Sequence, residues 1–187
     1  MPIVLASASP RRHDLLTRAG LAFEVVVSSA EEIHDAALPP DRLCEGNAKL
    51  KAAAVALSHP HATVIGADTL VFIDADALGK PVDLDEARAM LRRLSGRAHT
   101  VCTGVCVVWP GGAVDTFHEL SEVLFRVLDE ADIDAYFQLV DPLDKAGAYG
   151  IQVHGERLVA EIRGNFDNVM GLPVARLLEV LGSATSG

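Results

Sequence analysis

Thr63-Val64-Ile65-Gly66-Ala67-Asp68-Thr69-Leu70-Val71-Phe72-Ile73 is an apolar, β-branched run broken by a single charged side chain. Its length and its Val and Ile content predict a buried strand. A buried strand has no place for a lone carboxylate. Asp68 must therefore be hydrogen-bonded, ion-paired or bound to a metal, because an uncompensated buried charge costs several kcal/mol, about 3–5 once a partner is removed. The competing reading is an aspartate that caps a neighbouring loop. The flanking Gly66 and Ala67 are read as leaving space for a ligand.

Working outward, helical and strand-like segments alternate, which predicts an α/β protein. Ile3 to Ala6 reads as a short buried strand. Ser9-Pro10 opens a helix that Gly20 ends, with serine as the expected cap and proline in the first turn. Phe23 to Val27 is a strand, Ser29 to Pro40 a polar loop, and Asp41 to Leu57 a second helix. After the central strand, Asp74 to Ala77 reads as a turn. Asp83 with Glu86 forms a capping box for a helix ending near Leu94. Ala98 to Trp109 and Ala113 to Phe125 are strands joined at Pro110-Gly111-Gly112. Asp129 caps a helix to about Leu139. A glycine-rich stretch, a strand near Leu158 to Ile162 and a helix from Pro173 to Leu181 complete the chain. A single domain over residues 1–182 with a disordered tail over 183–187 is expected.

The chain has 187 residues, of which 50% are hydrophobic and 22% charged, with a mean hydropathy of +0.26. These values exclude intrinsic disorder. Sixteen basic against 26 acidic residues leave a net charge of −10. So acidic a chain is a poor partner for nucleic acid or an anionic membrane surface, and a phosphate ligand would need a local cluster of cations. Cys44, Cys102 and Cys106 lack metal-ligand spacing and read as reduced core thiols. No apolar run reaches the ~18 residues of a membrane helix, and the short apolar start lacks the layout of a secretory leader. A soluble cytoplasmic protein is expected.

Four groups of residues carry chemistry. Ser7-Ala8-Ser9-Pro10-Arg11-Arg12 runs from a strand into a helix N-terminus, where unpaired amides favour an anion and the dipole disfavours arginine. An anion held there accounts for both, whereas the alternative is a solvated arginine pair. Asp68 with Thr69 is the second group. Lys51, Lys80 in Gly-Lys-Pro and Lys145 in Asp-Lys-Ala-Gly form the third, and either Glu31 or Glu32 can help hold a cation. The fourth is Asp144 to Gln152, whose two glycines allow close backbone approach. Its terminal Gln152 presents a donor and an acceptor that match the alternating edge of uracil or thymine.

These motifs, together with Leu15-Leu16, Leu91 to Gly96 and Asn168 to Pro173, stand in the order found in the Maf family, which the chain resembles over nearly its whole length. The resemblance implies an inosine-triphosphatase-like α/β fold: a mixed β-sheet with flanking helices and two lobes around a central cleft, often as a homodimer. It also implies a nucleoside triphosphate pyrophosphatase that releases a monophosphate and pyrophosphate with a divalent cation, Mg2+ or Mn2+. The double-arginine form, the Asp-Thr pair and the glutamine ending DKAGAYGIQ resemble the branch acting on dTTP and UTP. The branch acting on 7-methyl-GTP has an aromatic residue where Arg11 stands. By this resemblance Asp68 is the proton acceptor, and Arg11, Thr69 and Gln152 set base preference. Ser7, Ser9, Arg12, Lys51, Lys80 and Lys145 bind substrate, and Asp68 and Glu32 face the metal. A non-catalytic nucleotide-binding regulator of cell division is the rival from another class.

Overall fold

The computed structural model describes residues 1–183 except 36 and 75. The described residues form seven strands and six α-helices, interleaved along the chain: β1 (Ile3–Leu5), α1 (Pro10–Arg18), β2 (Glu24–Val25), α2 (Pro40–Ala56), β3 (Thr63–Ile73), β4 (Asp76–Leu78), α3 (Leu84–Leu94), β5 (Ala98–Val108), β6 (Val114–Phe125), α4 (Glu130–Phe137), β7 (Val159–Arg163), α5 (Phe166–Met170) and α6 (Val174–Ser183). The strands form one mixed sheet in the order β2-β1-β3-β5-β6-β7, with β4 paired to β3. The chain is therefore α/β, as the alternation predicts. Ser183 closes α6, and the remainder of the tail expected from there on, residues 184–187, lies outside the described residues.

Two compact units are distinguished. The first comprises residues 1–68, 103–119 and 171–187. Here β1 lies parallel to both β2 and β3, with Leu5 in register with Val25 and Ile65. β1 stops at Leu5 while β3 runs on to Ile73, and the region beyond the carboxyl end of a strand is where α/β sheets bind ligands. Ser7 lies two residues past the end of β1, and Asp68 lies three past the register partner of Leu5. Helix α2 packs on this sheet through small residues, and Ala48, Ala52 and Val55 are buried with Val4 and Val64. Gly66 explains the closeness of that packing. A Cβ there would stand 2.3 Å from the Ala48 carbonyl oxygen and 2.8 Å from the Ala52 nitrogen. The space expected at Gly66 for a ligand is filled by the backbone of α2. Gly104 meets α2 one turn earlier, where a Cβ would be 2.3 Å from the carbonyl carbon of Cys44.

The second unit comprises residues 69–102 and 120–170. Its core gathers Leu91, Leu94, Phe125, Ile133, Tyr136 and Leu158, each worth about 1.5–3 kcal/mol of burial for an aliphatic or aromatic side chain. Residues 76–78 pair with β3 as β4, antiparallel, with Phe72 opposite Ala77, where the sequence had suggested only a turn. Three-residue strands fall below any periodicity signal. Asp83 caps α3 by accepting from the Glu86 nitrogen at 2.8 Å, but Glu86 returns to the Val82 nitrogen at 2.6 Å, so the box closes one residue early. Asp129 and Asp132 form a full capping box on α4.

Candidate active site

In the first unit the carboxylate of Asp68 is buried and paired. Lys51, on α2, places Nζ 2.6 Å from Asp68 Oδ1 and 2.8 Å from Glu32 Oε1. Asn47, one helical turn earlier, donates from Nδ2 to Asp68 Oδ2 at 3.2 Å. The charge that the strand pattern made anomalous is thus neutralised by a lysine and held at both oxygens. Of the two adjacent acids, Glu32 is the one whose carboxylate meets Lys51.

Arg12 is buried beside this group. Its Nε donates to the Gly171 carbonyl at 2.8 Å and its Nη1 to Ser7 Oγ at 3.1 Å. Burial lowers the pKa of the guanidinium; Asp68 and Glu32 oppose that shift, and the neighbouring Arg11 adds to it. A cation carried this far from water needs the two carboxylates as counter-charge. Arg11 itself is only half-buried. Ser9 stands at the N-cap position of α1, but its hydroxyl makes no capping bond. Ser7 Oγ does the local work instead, accepting from the Ser9 nitrogen at 3.2 Å as well as from Arg12. Ser7, Arg12, Glu32, Lys51 and Asp68 therefore form one charged group, with Asn47 as a member that sequence reasoning missed.

Lys51, expected among the substrate-binding cations, is here paired with two carboxylates. Its charge is already shared by Asp68 and Glu32. Two carboxylates that converge on a common cation also suit a divalent ion, with the remaining ligands left to phosphate oxygens and water. Among the described residues no cluster of three or more His, Cys, Asp or Glu side chains could hold a metal. Asp68 and Glu32 together offer two carboxylates, fewer ligands than an all-protein cage requires.

The second unit carries the other expected residues. Gly147 donates to the Gly79 carbonyl at 3.0 Å, which brings the Gly-Lys-Pro turn of Lys80 beside the segment of Lys145. Lys80 is exposed. Lys145 donates to the Asp141 carbonyl at 2.7 Å and pairs with Asp144. The glycines expected to admit a ligand have local duties. Gly147 adopts φ +69° with Val71 against it, and a Cβ on Gly150 would press on Lys145. Thr69 is half-buried on β3, and Gln152 is exposed in the turn over residues 151–154. Beneath this segment the His99 Nε2 lies 2.7 Å from the Tyr149 hydroxyl, and Tyr136 accepts from the Gly150 nitrogen at 3.0 Å.

The family model of Maf-like proteins matches residues 2–184. The chain belongs to the Maf family. The dTTP/UTP pyrophosphatase of Akkermansia muciniphila is 51% identical over 96% of this chain and 95% of that protein. Proteins of the same description from Bacillus cytotoxicus and Bacillus mycoides are 47% and 48% identical, over 98% and 96% of this chain and 96% and 93% of theirs. Among solved structures, the Staphylococcus aureus Ham1 protein superposes with a TM-score of 0.49 at 18% identity, over 67% of this chain and 72% of that one, a likeness too slight to rest anything on. Within this Maf chain no described helix is long and apolar enough to cross a membrane.

Proposed function

We propose that this protein is a nucleoside triphosphate pyrophosphatase that hydrolyses dTTP and UTP to the monophosphate and pyrophosphate. The observation that carries the reading is the buried Asp68 carboxylate, held between Lys51 and Asn47 and adjoining the buried Arg12, in a chain 51% identical to a dTTP/UTP pyrophosphatase. A buried acid on a central strand, flanked by the cations Lys51 and Arg12, is an arrangement for a highly charged ligand.

In this mechanism the oxygen of water forms a bond to the α-phosphorus. The bond from that phosphorus to the α–β bridging oxygen breaks, and pyrophosphate leaves with the bridging oxygen. Asp68 accepts the proton of the attacking water. Arg12 and Lys51 balance the charge of the phosphates, and Ser7 and Ser9 offer hydroxyls beside the N-terminal amides of α1. Lys80 and Lys145 are assigned to phosphate binding, and Arg11, Thr69 and Gln152 to base preference. Asp68 and Glu32 would hold the divalent cation, Mg2+ or Mn2+, which when bound polarises phosphate oxygens. The rate then comes from positioning and electrostatics more than from covalent chemistry. A homodimer belongs to the same reading and is checked by light scattering in solution.

The test is a panel of canonical and modified triphosphates incubated with Mg2+ or Mn2+ in water enriched in oxygen-18. The expected products are TMP or UMP carrying the label, and unlabelled pyrophosphate. Asp68→Asn is expected to lose orders of magnitude in kcat while still binding dTTP. Nucleotide-dependent thermal stabilisation of the wild type without any product would instead support the regulator.

A further inference from the structure

Asn47 is almost fully buried on α2, and its carboxamide makes three hydrogen bonds. Oδ1 accepts from the backbone nitrogen of Ile33 at 2.7 Å. Nδ2 donates to the Ile33 carbonyl at 3.2 Å and to Asp68 Oδ2 at 3.2 Å. The Ile33 N–H fixes the orientation of the amide, because a flipped side chain would set donor against donor. The nitrogen is thereby committed to Asp68.

Asn47 and Lys51 are four residues apart and share one face of the helix. Lys51 grips Asp68 by Oδ1 and the side chain of Glu32. Asn47 grips Asp68 by Oδ2 and the backbone immediately after Glu32. Among the described residues, 28–39 contain no helix or strand, so the place of Glu32 is set by contacts of this kind. We infer that Asn47 is a positioning residue for the reaction: it fixes the plane of the Asp68 carboxylate and the separation of Glu32 from it. The inference rests on the reading of Asp68 as the proton acceptor.

Asn47→Leu keeps the branched outline of the side chain, with somewhat more bulk, and removes all three bonds. The expected result with dTTP is a kcat lower by about 10-fold to 100-fold, with KM within about 3-fold, as for a misoriented but present general base. The effect should shrink when Asn47→Leu is placed on an Asp68→Ala background, because the residue acts chiefly through that carboxylate. Equal fold losses in both backgrounds, or an unchanged kcat, would overturn the assignment. Asn47→Ala and Asn47→Ser carry the same comparison should the leucine variant fail to fold. Wild type and Asp68→Asn are assayed alongside. If Asp68→Asn is fully active, the reading of Asp68 fails. If Asp68→Asn is inactive and Asn47→Leu is not impaired, only the role of Asn47 fails.

Discussion

The ammonium of Lys51 lies 2.6 Å from Asp68 Oδ1, and the two side chains are 13% and 7% exposed. Glu32, the second carboxylate on the same ammonium, is 42% exposed. The buried end of the triad is thus a tight ion pair, and the open end is a carboxylate that water and ligands can reach.

This geometry predicts how Lys51 and a divalent ion compete. The ammonium occupies the point on which both carboxylates converge. Free Mn2+ should therefore bind the wild type weakly in the absence of nucleotide. Lys51→Met removes the competitor and leaves two carboxylates without a counter-charge. Manganese affinity, read by electron paramagnetic resonance on the nucleotide-free protein, is expected to rise by about 10-fold or more, while turnover of dTTP falls. Equal affinity in both proteins would show that the two carboxylates do not form the ion's site.

Gly66 makes a prediction about stability. Its missing Cβ is replaced by backbone of α2 at 2.3 Å, and backbone cannot rotate aside. Gly66→Ala should cost about 1–3 kcal/mol or more, a Tm lower by roughly 2–4 °C per kcal/mol in a chain of this size. Activity should fall further than stability, because α2 carries Lys51 and Asn47. Gly79→Ala is the control: a Cβ there meets nothing within 4 Å, and its Tm should stay close to that of the wild type. Two equal melting curves would contradict the packing.

Much of this could be read from the chain because the informative residues violate their surroundings. Asp68 stands out as the one charge in an apolar run, and Arg11 and Arg12 as cations at a helix start. The alternation of long apolar runs with capped helices was enough for an α/β sheet. What stayed hidden depends on tertiary neighbours. Asn47 looks like any polar residue of an amphipathic helix until Ile33 and Asp68 are seen beside it. The pairing of Lys51 with two acids joins residues 17 and 19 positions away, which no local spacing reveals. Gly66 was legible as unusual, but whether its space serves a ligand or a helix backbone is decided only by packing. The short β4 and the five-residue α5 fall below the length at which periodicity can be measured.

His99 should make the fold acid-sensitive in a defined window. It is buried against Phe125 and Tyr149, and desolvation lowers its pKa from 6.5 to about 4. Below pH 6.5 the unfolded chain takes up a proton that the folded chain refuses until about pH 4. Stability is therefore lost as pH falls through that interval, by at most about 3 kcal/mol from this group, and is indifferent to it above. Urea unfolding at pH 7 and pH 4.5 checks the point. The wild type should lose more stability between the two than His99→Gln, and equal losses would remove His99 from the account.

Gln152 tests base reading apart from catalysis. Its side chain is exposed in a turn, so Gln152→Ala should leave the Tm nearly unchanged, as surface substitutions do. A carboxamide can accept from the N3–H of thymine or uracil while it donates to the adjacent carbonyl. Losing that pair of bonds removes about 1–3 kcal/mol of discrimination, which corresponds to roughly 10-fold to 100-fold. Cytosine offers the opposite pattern at the same edge, an acceptor at N3 and an amino donor. The ratio of kcat/KM for dTTP over dCTP should therefore fall by that factor in Gln152→Ala, with the loss arising on the dTTP side. Gln152→Glu keeps an acceptor and loses the donor; a carboxylate meets one N–H and one acceptor on either base, so it should lose the discrimination as Gln152→Ala does. A ratio that stays constant across the three proteins, with activity intact, would place base recognition on residues other than Gln152.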